Sequence, residues 1–372
     1  MRRPEAGIIA IALLASACAI PTESPNWDMT WNLPVPDKGN LNVGVSSFLP
    51  NGVTTVGSLP TAFRAAVASP APFNRPLGTD CPSCTNGATQ PKPAFTSAPP
   101  ASTAAFTSGT NLTSATLTTG SQVVFTINNG YNFDPIRPQA GSATTNTGTL
   151  TLTVNNGGTT LGVLTILGTQ NAIPASAITT FTLPLAGTIT GSVPLSVTMT
   201  LTSPAGSPVT INTAQVFNIA SVPTINTSTA TVTIAAQAIT AVPDTVDMSK
   251  IDSTIINRIK DTTGSEGTMF LTITNPFTVG GAMTVTFSSA PGGPPFTAII
   301  KNVALTAAAN GTTPNVATVP VDLSGKELRN ILGHKLLIGF GGSTAAGSLT
   351  AAPAQKVIIS SRLQLNFSLK AQ

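Results

Sequence analysis

The sequence predicts an all-β protein built from two related antiparallel β-sandwich units, with one or two short helices. Three observations carry that expectation. Runs of aliphatic and β-branched residues alternate with Thr, as in Leu150-Thr-Leu-Thr-Val154 and Leu195-Ser-Val-Thr-Met-Thr-Leu201, and a period of two gives a strand one buried face and one wet face. Asn-Gly, Gly-Gly and Ser-Pro steps punctuate these runs as turns do. The chain also repeats itself. Gly148-Thr-Leu-Thr-Leu-Thr-Val-Asn-Asn156 is echoed by Gly267-Thr-Met-Phe-Leu-Thr-Ile-Thr-Asn275, Leu183-Pro-Leu-Ala-Gly187 by Val321-Asp-Leu-Ser-Gly325, and Ala214-Gln-Val-Phe-Asn-Ile219 by Ala354-Gln-Lys-Val-Ile-Ile359. Repeats kept in order mark two copies of one unit, placed at residues 111–235 and 236–372. One elongated sandwich whose copies share sheets is the alternative arrangement. A transmembrane barrel would want aromatic girdles, and the chain has one Tyr and two Trp.

With 372 residues, 41% of them hydrophobic, the chain can bury two substantial cores. Only 8% are charged, against about a quarter in ordinary globular proteins. Thr, Ser and Asn must wet the surface instead. The net charge of +4 is spread thinly, without a Lys/Arg cluster interleaved with aromatics, so no nucleic-acid partner is expected.

Residues 1–17 read as a signal peptide: Arg2 and Arg3, an apolar run from Ala6 to Leu14, and small residues at Ala15-Ser-Ala17. The run is too short to span a bilayer. Leu14-Ala-Ser-Ala-Cys18 resembles a bacterial lipoprotein lipobox, with Ala15 where Leu is commoner. That resemblance implies a diacylated Cys18 as the mature N-terminus, and Ala19 rather than Asp after it implies the outer membrane. Ala15-Ser-Ala17 also suits ordinary signal peptidase, so plain secretion stays open.

Residues 18–68 are read as a tether followed by strands. Trp27, Met29, Trp31, Leu33 and Val35 recur at every second residue, and the alternation continues through Leu41-Asn-Val-Gly-Val45. This places a strand there; the alternative is a pair of tryptophans at a lipid interface. Thr61 to Val67 could form a helical turn or two. Residues 69–110, dense in Pro, Ala, Ser and Thr, read as a linker or long surface loop because proline withholds ladder donors. Inside lies Cys81-Pro-Ser-Cys84. Zinc would need two more ligands than the chain readily supplies, and a redox pair would open a helix after a strand. In an oxidising compartment Cys81 and Cys84 are therefore expected to form a structural disulfide.

From Gln122 onward strands follow one another: Val123–Ile127, Leu150–Val154, Leu161–Ile166, Leu195–Leu201, Val216–Ile219 and Ala230–Ile234. Phe133-Asp-Pro-Ile-Arg137 interrupts them, and Asp134 and Arg137 are expected to pair locally and fix a loop. Pro138 through Pro243 contains no charged residue. Since β-proteins usually guard their edge strands with charge, these edges are either covered within the fold or free to associate.

Charge returns from Asp244 to Glu266. Met248, Ile251, Ile255 and Ile259 at spacings of three, four and four predict a short amphipathic helix within Ser249–Lys260. The acids match no calcium loop. The second unit then runs through Met269–Thr274, Met283–Phe287, Phe296–Leu305, Val316–Leu323, Lys335–Phe340, Lys356–Ser360 and Leu363–Leu369. Ser324-Gly-Lys-Glu327 reads as a capping box for one short helix with Leu328, Ile331 and Leu332 inward. Asn275-Pro-Phe277, just after a strand, resembles the Asn-Pro step of Ig-like sandwich domains of the late-embryogenesis-abundant type. The match is three residues long and implies no function.

His334, the one histidine, has no nucleophile elbow or other triad context. No phosphate loop or dinucleotide fingerprint is present. No catalytic, metal or cofactor-binding residue is assigned, and no cofactor is expected. The function expected is a non-catalytic envelope lipoprotein or secreted protein with a structural, adhesive or assembly role. Its partners would be the membrane through Cys18, and copies of itself or an envelope polymer. A carbohydrate-binding module is the alternative, with Tyr131 and the phenylalanines as candidate contacts. A hydrolase using scattered carboxylates ranks last.

Overall fold

The structure is a computed structural model that describes residues 26–34, 41–138, 147–240, 243–259 and 265–370. The signal peptide and Cys18 lie outside them, as does Val35. The chain is all-β, in antiparallel sheets with a sandwich-like arrangement.

The first strands are β1 (Asn26–Pro34), β2 (Leu41–Gly44), β3 (Val53–Val56), β4 (Ala62–Ala65), β5 (Phe73–Pro76), β6 (Thr89–Lys92), β7 (Phe95–Ser97), β8 (Ser102–Ala104) and β9 (Leu112–Leu117). A single helical turn, α1 (Leu77–Asp80), follows β5. Two expectations are corrected here. Thr61–Val67 is not helical but holds β4, whose Ala62, Phe63 and Ala65 are buried. Residues 69–110 are not a free linker: β5, β7 and β8 add short strands to larger sheets, and β6 forms a two-stranded sheet with β16. Proline is tolerated in such short strands because an edge strand needs only one row of partners.

The first unit comprises β10 (Gln122–Asn129), β11 (Thr149–Asn156), β12 (Thr159–Leu167), β13 (Ala177–Pro184), β14 (Thr188–Ile189), β15 (Leu195–Ser203), β16 (Gly206–Thr210) and β17 (Val216–Ile234). After β18 (Ala238–Thr240), β19 (Asp244–Asp247) and α2 (Ser253–Arg258) comes the second, with β20 (Ser265–Asn275), β21 (Gly281–Ser289), β22 (Ile299–Leu305), β23 (Asn315–Ser324), α3 (Gly325–Ile331), β24 (Lys335–Thr344), β25 (Gly347–Ala351) and β26 (Lys356–Lys370). The predicted helix over 249–260 is shorter than its periodicity suggests. Asp252 caps it by accepting the Thr254 N–H at 2.7 Å, and β-branched residues inside keep it to six residues.

Both units have the same topology. In the first, β10 sits between β13 and β17 while β11 sits between β12 and β15; in the second, β20 sits between β23 and β26 while β21 sits between β22 and β24. The register repeats as well. Val123 faces Leu183 and Pro223, and its counterpart Met269 faces Val321 and Leu363. Two of the three sequence echoes coincide with this correspondence. The third is one strand out: Gly148–Asn156 forms β11, whereas the structural partner of β20 is β10. Alternating Leu and Thr is generic to every central strand here, so the pattern alone cannot tell neighbours apart.

The units are joined by more than their connecting segment. The 19-residue β17 pairs with β10 and β5 along its first half and with β4, β9 and β25 along its second. Residues 230–234 at its end thus hydrogen-bond to a strand from the second unit.

Candidate functional site

The candidate site grows from the corner where β10 ends. Asn129 is fully buried there. Its amide Nδ2 donates to the carbonyls of Phe133 (2.9 Å), Ile173 (2.9 Å) and Pro174 (3.0 Å), and its Oδ1 accepts the Tyr131 N–H at 3.0 Å. Asn275 at the end of β20 does the same: Nδ2 donates to Val279 O (3.0 Å) and Thr306 O (2.8 Å), and Oδ1 accepts the Phe277 N–H at 3.0 Å. Asn129-Gly-Tyr131 and Asn275-Pro-Phe277 are therefore one corner used twice. Each corner ring receives a phenylalanine edge from the N-terminal region: Phe95 on Tyr131 with centroids 6.5 Å apart, Phe48 on Phe277 at 5.3 Å.

Around the first corner the chain gathers most of its buried charge. Asp80, at the end of α1, accepts from Arg75 Nε at 2.9 Å and Ser97 Oγ at 2.8 Å, and Arg75 also reaches it through Nη2. The Tyr131 hydroxyl donates to Arg75 O at 2.9 Å and lies 3.4 Å from Asp80 Oδ2. Burial, with Asp80 beside it, pushes the Tyr131 phenol well above its ordinary pKa. The disulfide Cys81–Cys84 directly follows Asp80.

A second buried group lies on the other side of Phe133. Lys92 is fully buried; its Nζ donates to Arg137 O (2.9 Å) and Pro204 O (2.8 Å) and stands 5.5 Å from the Phe133 ring centroid. Burial lowers its pKa to about 8, partly opposed by Asp134. Asp134 in turn accepts the N–H groups of Ile136 and Ile173, each at 2.9 Å. Its carboxyl is raised by burial, which those bonds and the nearby Arg137 and Lys92 offset only in part. The expected local Asp134–Arg137 pair is corrected: Arg137 Nε donates to Gly168 O at 2.7 Å. Both side chains face carbonyls and amides of the 168–173 segment, because a loop closing over a core has backbone groups to satisfy.

Other sequence candidates fall elsewhere. Tyr131, considered as a sugar contact, is a core ring with no exposed surface. Among the described acids of the stretch from Asp244 onward, Asp247 and Asp252 do not converge. Asp247 and Asp252 turn back on Ser249 and Thr254, which hold both carboxyls below their ordinary range. Among the described residues no group of three or more His, Cys, Asp and Glu is placed to hold a metal ion. The capping box forms, with Glu327 N–H donating to Ser324 Oγ at 3.3 Å and Ser324 N–H to Glu327 Oε2 at 2.8 Å. Lys301 adds an ion pair to Glu327 at 2.8 Å. His334 lies just before β24 and its carbonyl accepts the Met248 N–H at 3.0 Å. A groove of about 400 Å³ lies beside the β25–β26 turn, lined by Val45, Thr55, Leu59, Pro60, Pro353 and Lys356 among others. Sequence reasoning missed Arg75, Asp80 and Lys92; their rarity in a charge-poor stretch was the available signal.

Comparisons add no relative from which chemistry can be carried over. No family model matches the chain, and no curated protein does. Among solved structures, a "putative secreted protein" from Parabacteroides distasonis aligns over 91% of this chain and 99% of its own, at 10% identity and a TM-score of 0.29. The infectious bursal disease virus Gx strain structure aligns over 94% and 72%, at 12% identity and a TM-score of 0.19. At such scores the likenesses carry no argument. No described helix is long and apolar enough to cross a membrane.

Proposed function

We propose that the chain is a non-catalytic protein of the cell envelope, held to the outer membrane by a lipid on Cys18, with a structural or assembly role. The observation that carries this reading is the use made of the buried polar side chains. Asn129, Asn275, Lys92 and Asp134 all direct their hydrogen bonds at backbone carbonyls and amides of neighbouring segments. Asp80 accepts from Arg75, Ser97 and Tyr131 within the fold. Groups satisfied in this way hold loops together; a catalytic site would instead leave a nucleophile or base aimed into a cleft. The lipid anchor is supported by the sequence ending at Cys18, eight residues before β1 begins at Asn26. A tether of that length reaches roughly 29 Å at most, so the sheet containing β1, β26 and β20 would lie close to the membrane.

Intact mass of detergent-extracted protein tests the anchor. A mass corresponding to a chain starting at an acylated Cys18, and release of the Cys18→Ser variant into the soluble fraction, are expected. An unmodified start with full solubility would reduce the protein to a secreted one.

A further inference from the structure

The duplicated topology leaves the same side of each unit open, and the two copies treat it differently. β15 and β17 of the first unit, and β24 and β26 of the second, are covered by short strands of the same chain. In the first unit β15 is paired by β7 and β8, and β17 by β5 and β4. In the second β24 is paired by β18 and β19, and β26 by β1 and β2. The third and fourth strands, β12 and β13, or β22 and β23, each have one partner strand among the described residues.

β23 carries standard deterrents to edge pairing. Its Pro320 lacks an N–H, and its Asp322 accepts Thr268 Oγ1 at 2.9 Å on the sheet surface. The register places Thr182 and Pro184 of β13 at these two positions. β13 is otherwise Ala177-Ile-Thr-Thr-Phe-Thr-Leu183, with no charge; Ile178 is 69% exposed, as Val316 is 65% exposed at the matching position of β23, so the edges differ in charge and proline and not in exposed apolar surface. The pairing of β13 with β10 is regular along all eight residues, so its outer row of backbone groups is straight up to Pro184, which has no N–H. β12 beside it adds Val163, 53% exposed, and again no charge.

We infer that β13 pairs antiparallel with β13 of a second copy of this chain, joining two first-unit sheets into one. An antiparallel two-fold contact uses the same edge twice, so each deterrent on that edge occurs on both strands. β13 has no charge and its one proline, Pro184, is its last residue, whereas β23 carries both Pro320 and Asp322 within the strand. Two-fold pairing also closes on itself, which limits the assembly to a dimer. The inference rests on the assembly reading above and narrows it to one edge and one partner.

The test uses the mature chain in sedimentation and light scattering at tens of micromolar, with thermal melts to confirm folding. A dimer is expected for the native sequence. Ile178→Lys and Thr180→Pro should each halve the mass, whereas Val316→Lys, at the matching position of β23, should leave the dimer intact. In the Thr180→Cys variant, oxidation should cross-link two chains at the same residue. A monomer at every concentration, or a dimer surviving both β13 variants, overturns the inference. A monomer that still sediments with envelope membranes would overturn it alone. A monomer with no envelope affinity would remove the assembly reading as well.

Discussion

The two copies of the unit share strand order, register and an Asn corner, yet they secure their loops by opposite means. The first keeps its charges inside: Lys92 and Asp134 bind backbone groups far away in the sequence, while Arg75 and Asp80 pair with each other beside Tyr131. The second puts Phe277 where the first has Tyr131, and its ion pairs, Lys301–Glu327 and Lys335–Asp247, are at least partly exposed. One hydroxyl marks the difference. Tyr131 reaches out of the corner to Arg75 O in β5 and toward Asp80 of α1, while Phe277 ends in apolar contact with Phe48. The fold therefore constrains the corner asparagine in both copies but leaves the surrounding polar chemistry free to diverge.

The sharpest way to break this comparison is to remove the shared element. Asn129→Ala and Asn275→Ala should each destabilise by about 3 kcal/mol or more, since a buried amide that satisfies several backbone groups is lost. Asn129→Ala should cost more, having three carbonyl partners against two. Urea midpoints measure both, and unequal effects of opposite order would show that the corners are not equivalent.

Next in size is a pH effect expected in the first unit. Lys92 has a pKa of about 8 in the fold against 10.5 for a free lysine side chain. Between those values the unfolded chain holds a proton that the folded chain has released, so stability should rise with pH through that window. The rise should be on the order of 3 kcal/mol, and in Lys92→Met it should vanish. Below about pH 8 the native fold carries the cost of a buried ammonium.

The smallest effect belongs to the second unit. Burial works against the Glu327 carboxylate, but Lys301 and Ser324 more than offset it and hold its pKa below the ordinary range. That contribution is present above the unfolded carboxylate pKa and is lost as pH falls through the lower folded value. Partial exposure screens it, so Glu327→Ala should cost about 1 kcal/mol. Thermal melts from pH 7 downward measure the difference, which should shrink as the pH falls.

Much of this architecture was legible in the alternation of aliphatic residues and Thr, because one buried face with period two is all a sandwich strand requires. The Leu183/Val321 and Ala214/Ala354 echoes fell in true register, since each sits where a strand meets a turn with its own residue demands. The Gly148/Gly267 echo did not, for mid-strand positions ask only for the right face. The short strands in residues 69–110 were illegible for a different reason. Their prolines argue against a ladder, and what holds them is a set of contacts to β15, β16 and β17, 91 to 146 residues away. The buried charges followed the same logic: Lys92 looks like a surface residue until Arg137 and Pro204 are brought to it by the fold.

The length of β17 has one more consequence. A single uninterrupted strand of 19 residues serves as the last strand of the first unit and as the seat for β25 of the second. Duplication ordinarily yields modules that can be cut apart and recombined. Here the copies have given up that freedom, since excising either half would strip a strand from the other, and any shuffling of this ancestry would have to move both together.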